Sequence, residues 1–210
     1  MERARSARGE LALRQRGEVF ELISNGVFLM DTSDGSSERL LARLATAEPP
    51  ARRVLVAGLG VGLTLAEVLL AAQVESVTVI EIEEAVVRWN LGPLAAVNAA
   101  ALSDPRVRVV VTDLCAWIGE TAERFDAICL DVDNGPDWTV ADDNRWLYTV
   151  DGLRALKSRL AANGKLAVWS ASLNPEFERR LAVVFGEVRR QTSPSDAGPP
   201  DVVWIACRRD

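Results

Sequence analysis

Residues 54–64 read VLVAGLGVGLT, an apolar run followed by glycines at positions 58, 60 and 62. A short apolar run bounded by glycines is typical of a buried strand, and the residues after it have the composition of a helix. Glycine is favoured where the backbone turns sharply and where a ligand approaches the chain closely. The segment therefore predicts a strand, a tight turn and a helix, with a ligand site at the turn.

The same order of elements repeats along the rest of the chain. Strands are predicted at residues 54–57, 76–80, 107–111, 127–130 and 166–170. Helices are predicted at residues 63–72, 83–90, 115–124, 150–160 and 175–184. This alternation predicts a Rossmann-like α/β fold, in which helices cover both faces of a mostly parallel sheet. Two last strands, 187–192 and 202–207, flank the turn-rich segment SPSDAGPP and predict a C-terminal antiparallel hairpin.

The residues before position 51 follow a different pattern. Three short segments, 10–16, 19–23 and 27–30, read as strands, and Asn25–Gly26 between the last two is a strong hairpin signal. A helix through Leu40 and Leu44 follows and ends before Pro49. We therefore predict a small N-terminal β-meander with a linking helix in residues 1–50 and a Rossmann-like domain in residues 51–210.

Composition excludes several classes of function. The chain of 210 residues carries a formal net charge of −6, so we expect no nucleic-acid partner. No apolar stretch reaches the roughly 18 residues that a membrane span needs, and no signal peptide is recognisable, so we expect a cytoplasmic protein without a membrane partner. The chain contains no histidine, and its three cysteines fit no zinc-site spacing, so we expect no metal site. A general base must then be a carboxylate, a lysine, a tyrosine or a cysteine.

Three acidic residues follow successive predicted strands. Glu81, Asp113 and Asp131 each stand where a parallel strand ends, so they are expected at one edge of the sheet. A carboxylate in the position of Glu81 can accept both hydroxyl groups of a ribose, and Asp113 can accept an adenine amino group. The glycine spacing differs from the dinucleotide fingerprint, which has its third glycine where this chain has Leu63. The pattern predicts a nucleoside site and disfavours a nicotinamide-dependent oxidoreductase.

Several segments together resemble a known family. They are VLVAGLGVGLTLAEVL, VTVIEIEEAVV, ALSDPRVRVVVTDLCAWI, ERFDAICLDVDNGP and LYTVDGLRALKSRLAANGKLAV. They resemble the class I S-adenosylmethionine-dependent methyltransferase fold and, within it, the spermidine synthase (polyamine aminopropyltransferase) family. The resemblance implies a transferase that uses S-adenosylmethionine or its decarboxylated form, an amine acceptor and a homodimer.

The resemblance also implies roles for single residues. The cofactor-binding residues would be Gly58, Gly60, Gly62, Glu81, Ile82, Asp113 and Leu114. Asp131 matches the family's catalytic acid, which helps to deprotonate the attacking amine. Asp133, Asn134 and Tyr148 would border the amine-binding cleft.

The chain departs from the family pattern on the acceptor side. The family has a second aspartate three residues after the catalytic one, where this chain has Asn134, and its Tyr-His-Glu segment is replaced by TSDGSSERLLA. The loop acids Asp131, Asp133, Asp137, Asp142 and Asp143 either attract a cation or form a solvated connection. Alternative hypotheses are therefore a methyltransferase that acts on a small molecule and a non-catalytic nucleoside-binding homologue.

Overall fold

Two β-sheets organise the chain in the computed structural model, which describes residues 1–139, 142–194 and 199–209. The first sheet is antiparallel, with its strands in chain order: β1 (Glu2–Ser6), β2 (Gly9–Arg16), β3 (Val19–Ser24) and β4 (Val27–Asp31). The turn at Asn25–Gly26 has positive φ at both residues, as its sequence predicts. The strand β1 is absent from the sequence prediction, because it is an edge strand of mostly exposed residues without an apolar face.

In the part of the chain that the structure describes, the second sheet has seven strands in the order β10-β11-β9-β8-β5-β6-β7. They are β5 (Arg53–Ala57), β6 (Ser76–Glu81), β7 (Val107–Val111), β8 (Phe125–Leu130), β9 (Leu160–Ser170), β10 (Val188–Ser193) and β11 (Asp201–Cys207). The strands β5 to β9 run parallel, and β10 and β11 form the predicted antiparallel hairpin beside β9. The predicted mostly parallel sheet is confirmed. Residues 195–198 of the hairpin loop lie outside the described residues.

Within the described ranges, six α-helices pack on the large sheet. They are α1 (Ser36–Thr46), α2 (Leu63–Leu70), α3 (Glu84–Leu91), α4 (Leu114–Glu120), α5 (Val150–Ser158) and α6 (Pro175–Phe185). Alternate residues of β5 explain why both faces are covered. Val54 and Val56 join the apolar cluster under α1, α2 and α3, whereas Leu55 and Ala57 join the cluster under α4, α5 and α6.

Three predicted boundaries differ from the structure by two to six residues. The helix α4 ends at Glu120 rather than at residue 124, and α5 ends at Ser158 rather than at residue 160. The strand β9 begins at Leu160, six residues before its predicted start, because Leu160 pairs with Phe125 of β8. Periodicity does not reveal such a pairing, because it joins two distant segments.

The strand order places the predicted ligand site at a reversal of direction. From β5 the chain builds β6 and β7 on one side and then returns to place β8 on the other side of β5. In open α/β sheets, ligands bind outside the carboxyl ends of the strands at such a reversal. The division into domains at residue 50 stays a prediction. No helix of the described residues is long and apolar enough to cross a membrane.

Candidate active site

The glycine loop follows β5 and closes against the end of β8. Gly58, Gly60 and Gly62 have φ angles of 89°, 52° and 86°, which side chains rarely allow. A Cβ on Gly58 would lie 2.0 Å from the backbone oxygen of Asp131. The glycines therefore let the two strand ends approach each other, and parts of Gly58 and Gly60 remain accessible.

Glu81 ties this loop to the end of β6. Its Oε2 accepts a hydrogen bond from the Leu59 N–H at 3.0 Å, and its Oε1 accepts one from the Glu83 N–H at 2.8 Å. The side chain is buried, and burial raises its pKa while the backbone N–H groups oppose that shift. The Ile82 N–H is a third backbone donor to this carboxylate, which leaves about one of its four lone-pair sites for a ribose hydroxyl.

Asp131 lies across the loop from Glu81, directly after β8. Thr64, in the first turn of α2, donates a hydrogen bond from Oγ1 to Oδ2 of Asp131 at 2.8 Å. Burial raises the pKa of Asp131 to about 7, and the nearby charge of Glu38 adds to the rise. A carboxyl group with this pKa exchanges its proton near neutral pH, as a general base requires.

Two further acids near Asp131 are not marked by the sequence pattern. Glu38 lies in the first turn of α1, and Asp201 begins β11. Ser37 donates a hydrogen bond to Oε2 of Glu38 at 3.0 Å and also bonds the carboxylate of Asp201. Burial raises the pKa of both acids. Because β11 runs antiparallel to β9, its first residue lies at the edge where the parallel strands end. The predicted C-terminal hairpin could therefore have indicated Asp201 as a residue of this edge.

Asp113 is less accessible than its sequence position suggests. Its Oδ1 caps α4 by accepting the Ala116 N–H at 3.1 Å, and its Oδ2 pairs with Arg8 at 2.9 Å. Arg8 lies in the turn between β1 and β2, where Ser6 donates a hydrogen bond to Oε1 of Glu83 at 2.9 Å. The turn of the small sheet therefore crosses the edge where adenine is expected.

The three residues expected at the amine cleft occupy different surroundings. Tyr148 is 2% exposed and packs edge-on against Phe177, with ring centroids 5.6 Å apart. Its hydroxyl lies 3.5 Å from Oδ2 of the buried Asp133, and burial raises its pKa well above the ordinary value. The backbone oxygen of Asn134 accepts the Ala171 N–H at 3.1 Å. These contacts anchor the loop after β8, and the predicted roles in binding substrate stay predictions.

The acid-rich loop is only partly a free surface. Asp137 accepts a hydrogen bond from Asn174 at 2.6 Å, and Trp138 is 57% exposed. The side chain of Asp142 lies outside the described residues. Within residues 1–139, 142–194 and 199–209, no group of three or more histidine, cysteine or acidic side chains is placed to hold a metal ion.

Known proteins that are similar to this chain are spermidine synthases and polyamine aminopropyltransferases. The family model of the spermine/spermidine synthase domain matches residues 36–185. Polyamine aminopropyltransferase 1 of Hyperthermus butylicus is 34% identical over 189 residues, which cover 85% of this chain and 61% of that protein. The polyamine aminopropyltransferase of Mycobacterium tuberculosis is 32% identical over 169 residues, which cover 79% of this chain and 31% of that protein. Polyamine aminopropyltransferase 1 of Streptomyces coelicolor is 34% identical over 125 residues, 59% of this chain and 23% of that protein.

The chain thus matches between about a quarter and three fifths of the length of these curated relatives. Among solved structures, spermidine synthase from Thermotoga maritima superposes with a TM-score of 0.81 at 19% identity, covering 99% of this chain and 72% of that one. A spermidine synthase in complex with the transition state analogue AdoDATO gives 0.79 at 18% identity with the same coverage. These likenesses confirm the predicted fold.

Proposed function

Because the chain belongs to the spermine/spermidine synthase family, we propose that it transfers an aminopropyl group from decarboxylated S-adenosylmethionine to an amine. The observation that carries this proposal is the position of Asp131 beside the glycine loop, with a pKa raised to about 7. The relatives named above are polyamine aminopropyltransferases, which supports the same reaction class.

The site fits an adenine nucleoside that carries a sulfonium group. Gly58 and Gly60 keep accessible backbone beside Asp131, Glu81 offers a lone pair to a ribose, and Asp113 stands at the end of the next strand. When bound, the sulfonium supplies its own leaving group, so that alignment of the two reactants provides most of the acceleration.

Asp131 supplies the proton acceptor. An amine arrives protonated at neutral pH, and only its neutral form has a lone pair for attack. Asp131 takes the proton from the ammonium, the nitrogen forms a bond to the aminopropyl carbon, and the bond from that carbon to sulfur breaks to release neutral methylthioadenosine. Thr64 holds Oδ2 of Asp131 through its hydroxyl group, so Oδ1 is the oxygen available to the amine.

The charges around Asp131 support the decarboxylated form of the cofactor. Glu38, Asp131 and Asp201 concentrate negative charge near the glycine loop, and residues 58–67 contain no lysine or arginine. The carboxylate of intact S-adenosylmethionine would meet repulsion here, whereas an ammonium group would be attracted.

The same charges support a cationic acceptor. Asn134 stands where the family has a second aspartate, so one negative charge is missing from that loop. Glu38 and Asp201 bring negative charge near Asp131 from α1 and β11. The acceptor class is therefore an amine with one or more positive charges.

A product assay tests the proposal. The purified chain is mixed with decarboxylated S-adenosylmethionine and a panel of monoamines and diamines, and methylthioadenosine release is measured. We expect turnover that Asp131→Asn lowers by about a hundredfold or more, while the loop variant Asp137→Asn keeps most of it. Absence of methylthioadenosine with every amine would refute aminopropyl transfer, and methyl transfer from intact S-adenosylmethionine would replace it by the alternative. The proposed homodimer is tested separately by sedimentation.

A further inference from the structure

Two buried asparagine side chains lie directly behind the glycine loop. Asn90 belongs to α3, and Asn98 lies in the turns before a short 3-10 helix at Ala101–Ser103; each is 1% exposed. Asn90 Nδ2 donates to the backbone oxygens of Gly60 and Val86, both at 2.9 Å. Asn98 Nδ2 donates to Oδ1 of Asn90 at 2.6 Å and to the Val61 oxygen at 3.3 Å. We call these two side chains the amide pair.

The amide pair fills the space that Gly62 leaves. A Cβ on Gly62 would lie 2.5 Å from Oδ1 of Asn90 and 2.6 Å from Nδ2 of Asn98. Gly62 is buried, whereas Gly58 and Gly60 keep some exposure. The loop therefore has one face packed on the amide pair and another face towards the proposed cofactor site.

The backbone after Asn98 is strained. Ala99 and Ala100 have φ angles of 54° and 52°, a left-handed conformation that is unfavourable for alanine. Oδ1 of Asn98 is buried and has no hydrogen-bond partner among the described residues. Strain and an unsatisfied polar atom persist only where the surrounding structure imposes them, and both are enriched at functional sites. In this protein, the strained alanines and the unsatisfied oxygen both occur where the chain places Asn98 against the glycine loop.

A loop with glycines at alternate positions does not fix its own conformation, because glycine has access to many backbone angles. Side-chain donors that hold the loop's carbonyl groups supply the missing restraint. We infer that Asn90 and Asn98 are positioning residues, which hold the glycine loop in the shape that binds the cofactor. The inference rests on the proposed function. A loop that already has its binding conformation binds the ligand more tightly, because less conformational entropy is lost on binding.

The test compares nucleoside affinity with stability. Asn90→Asp and Asn98→Asp keep the size of the side chain but remove the amide donor that faces the loop. We expect each to weaken methylthioadenosine binding, measured by calorimetry, by about tenfold or more. Leu153→Ala is the control. Leu153 is buried on the opposite face of the sheet, so its substitution lowers stability without changing a contact of the loop.

Hydrogen exchange gives a second readout that does not depend on ligand. We expect the amides of residues 58–62 to exchange faster in the two asparagine variants than in Leu153→Ala at equal thermal midpoint. Unchanged affinity and exchange in the asparagine variants would overturn the inference, as would losses that Leu153→Ala reproduces. If an aspartate variant does not fold, Asn98→Ser replaces it, and the same outcomes apply. If wild-type protein does not bind methylthioadenosine, the proposed function fails, whereas the exchange data still decide whether the amide pair positions the loop.

Discussion

Thr64 Oγ1 donates a hydrogen bond of 2.8 Å to Oδ2 of Asp131 and so joins the first turn of α2 to the end of β8. The bond favours the charged form of the acid and opposes the effect of burial, which raises the pKa of Asp131 to about 7. This balance decides at which pH the proposed proton acceptor is ready.

Removal of the Thr64 hydroxyl group tests that balance. Thr64→Val keeps the size of the side chain but loses the donor, so the pKa of Asp131 rises further. We expect the acidic limb of the pH profile of kcat/KM to move to higher pH, with activity lost near neutral pH. Thr46→Val is the control, because Thr46 donates within α1 to Ala42. Identical profiles in the two variants would contradict the role of Thr64.

Removal of the Glu38 charge should have the opposite effect. Glu38 raises the pKa of Asp131 by charge repulsion, so Glu38→Gln lowers that pKa and moves the acidic limb to lower pH. The KM for a diamine should also rise, because one negative charge near the acceptor is lost. The exposed Glu123→Gln serves as control, since Glu123 pairs with Arg108 away from the site. A limb that moves upward, or does not move, would be evidence against this coupling.

The stability of the chain should depend on Asp131. Its pKa is about 7 when folded and near 3.8 when unfolded, so the folded state retains a proton that the unfolded state releases. The contribution of this proton to the free energy of unfolding is fully present below about pH 4 and is lost as the pH rises through about 7. We expect Asp131→Asn to reduce the fall in the free energy of unfolding over this range, measured by urea unfolding at several pH values. Part of the decrease should remain in the variant, because the pKa values of Glu38 and Asp201 are also raised. If the free energy of unfolding depended on pH in the same way in wild type and variant, the raised pKa of Asp131 would be contradicted.

The pair of Arg8 with Asp113 should compete with the nucleoside. Arg8 donates to Oδ2 of Asp113, the residue expected to accept the adenine amino group. Because the pair is partly exposed, we expect Arg8→Ala to tighten methylthioadenosine binding only modestly, by about two- to fivefold in calorimetry. Arg5→Ala, an exposed change on β1, should leave the affinity as it is. Weaker binding by Arg8→Ala would instead make Arg8 a contributor to the site.

Two glycine substitutions should differ sharply in their effect on stability. Gly58→Ala introduces a Cβ 2.0 Å from the Asp131 backbone oxygen at a positive φ, so we expect a loss of about 3 kcal/mol or more. Gly119→Ala in α4 meets no atom within 4 Å and should raise stability by up to about 1 kcal/mol. Thermal and urea unfolding measure both changes. Similar effects at the two positions would show that Gly58 does not lie as close to the Asp131 backbone as described.

Local sequence was sufficient for the sheet and for the residues at the ends of its parallel strands. Alternating apolar strands and helices predicted the α/β fold, and the positions of Glu81 and Asp131 followed from it, because every parallel strand delivers its last residue to the same edge. The pattern failed where an element has no apolar face, as in β1, or where a boundary depends on a distant partner, as at Leu160.

Only the tertiary structure decided what surrounds those residues. Arg8 meets Asp113 across 105 positions of sequence, and Thr64 meets Asp131 across 67. Glu38 approaches Asp131 because α1 packs across β8, β9 and β11, and Asn98 reaches the glycine loop through a strained turn. Such contacts arise when packing brings distant segments together. They fix the charge, the burial and therefore the pKa of a residue whose position the local pattern alone determines.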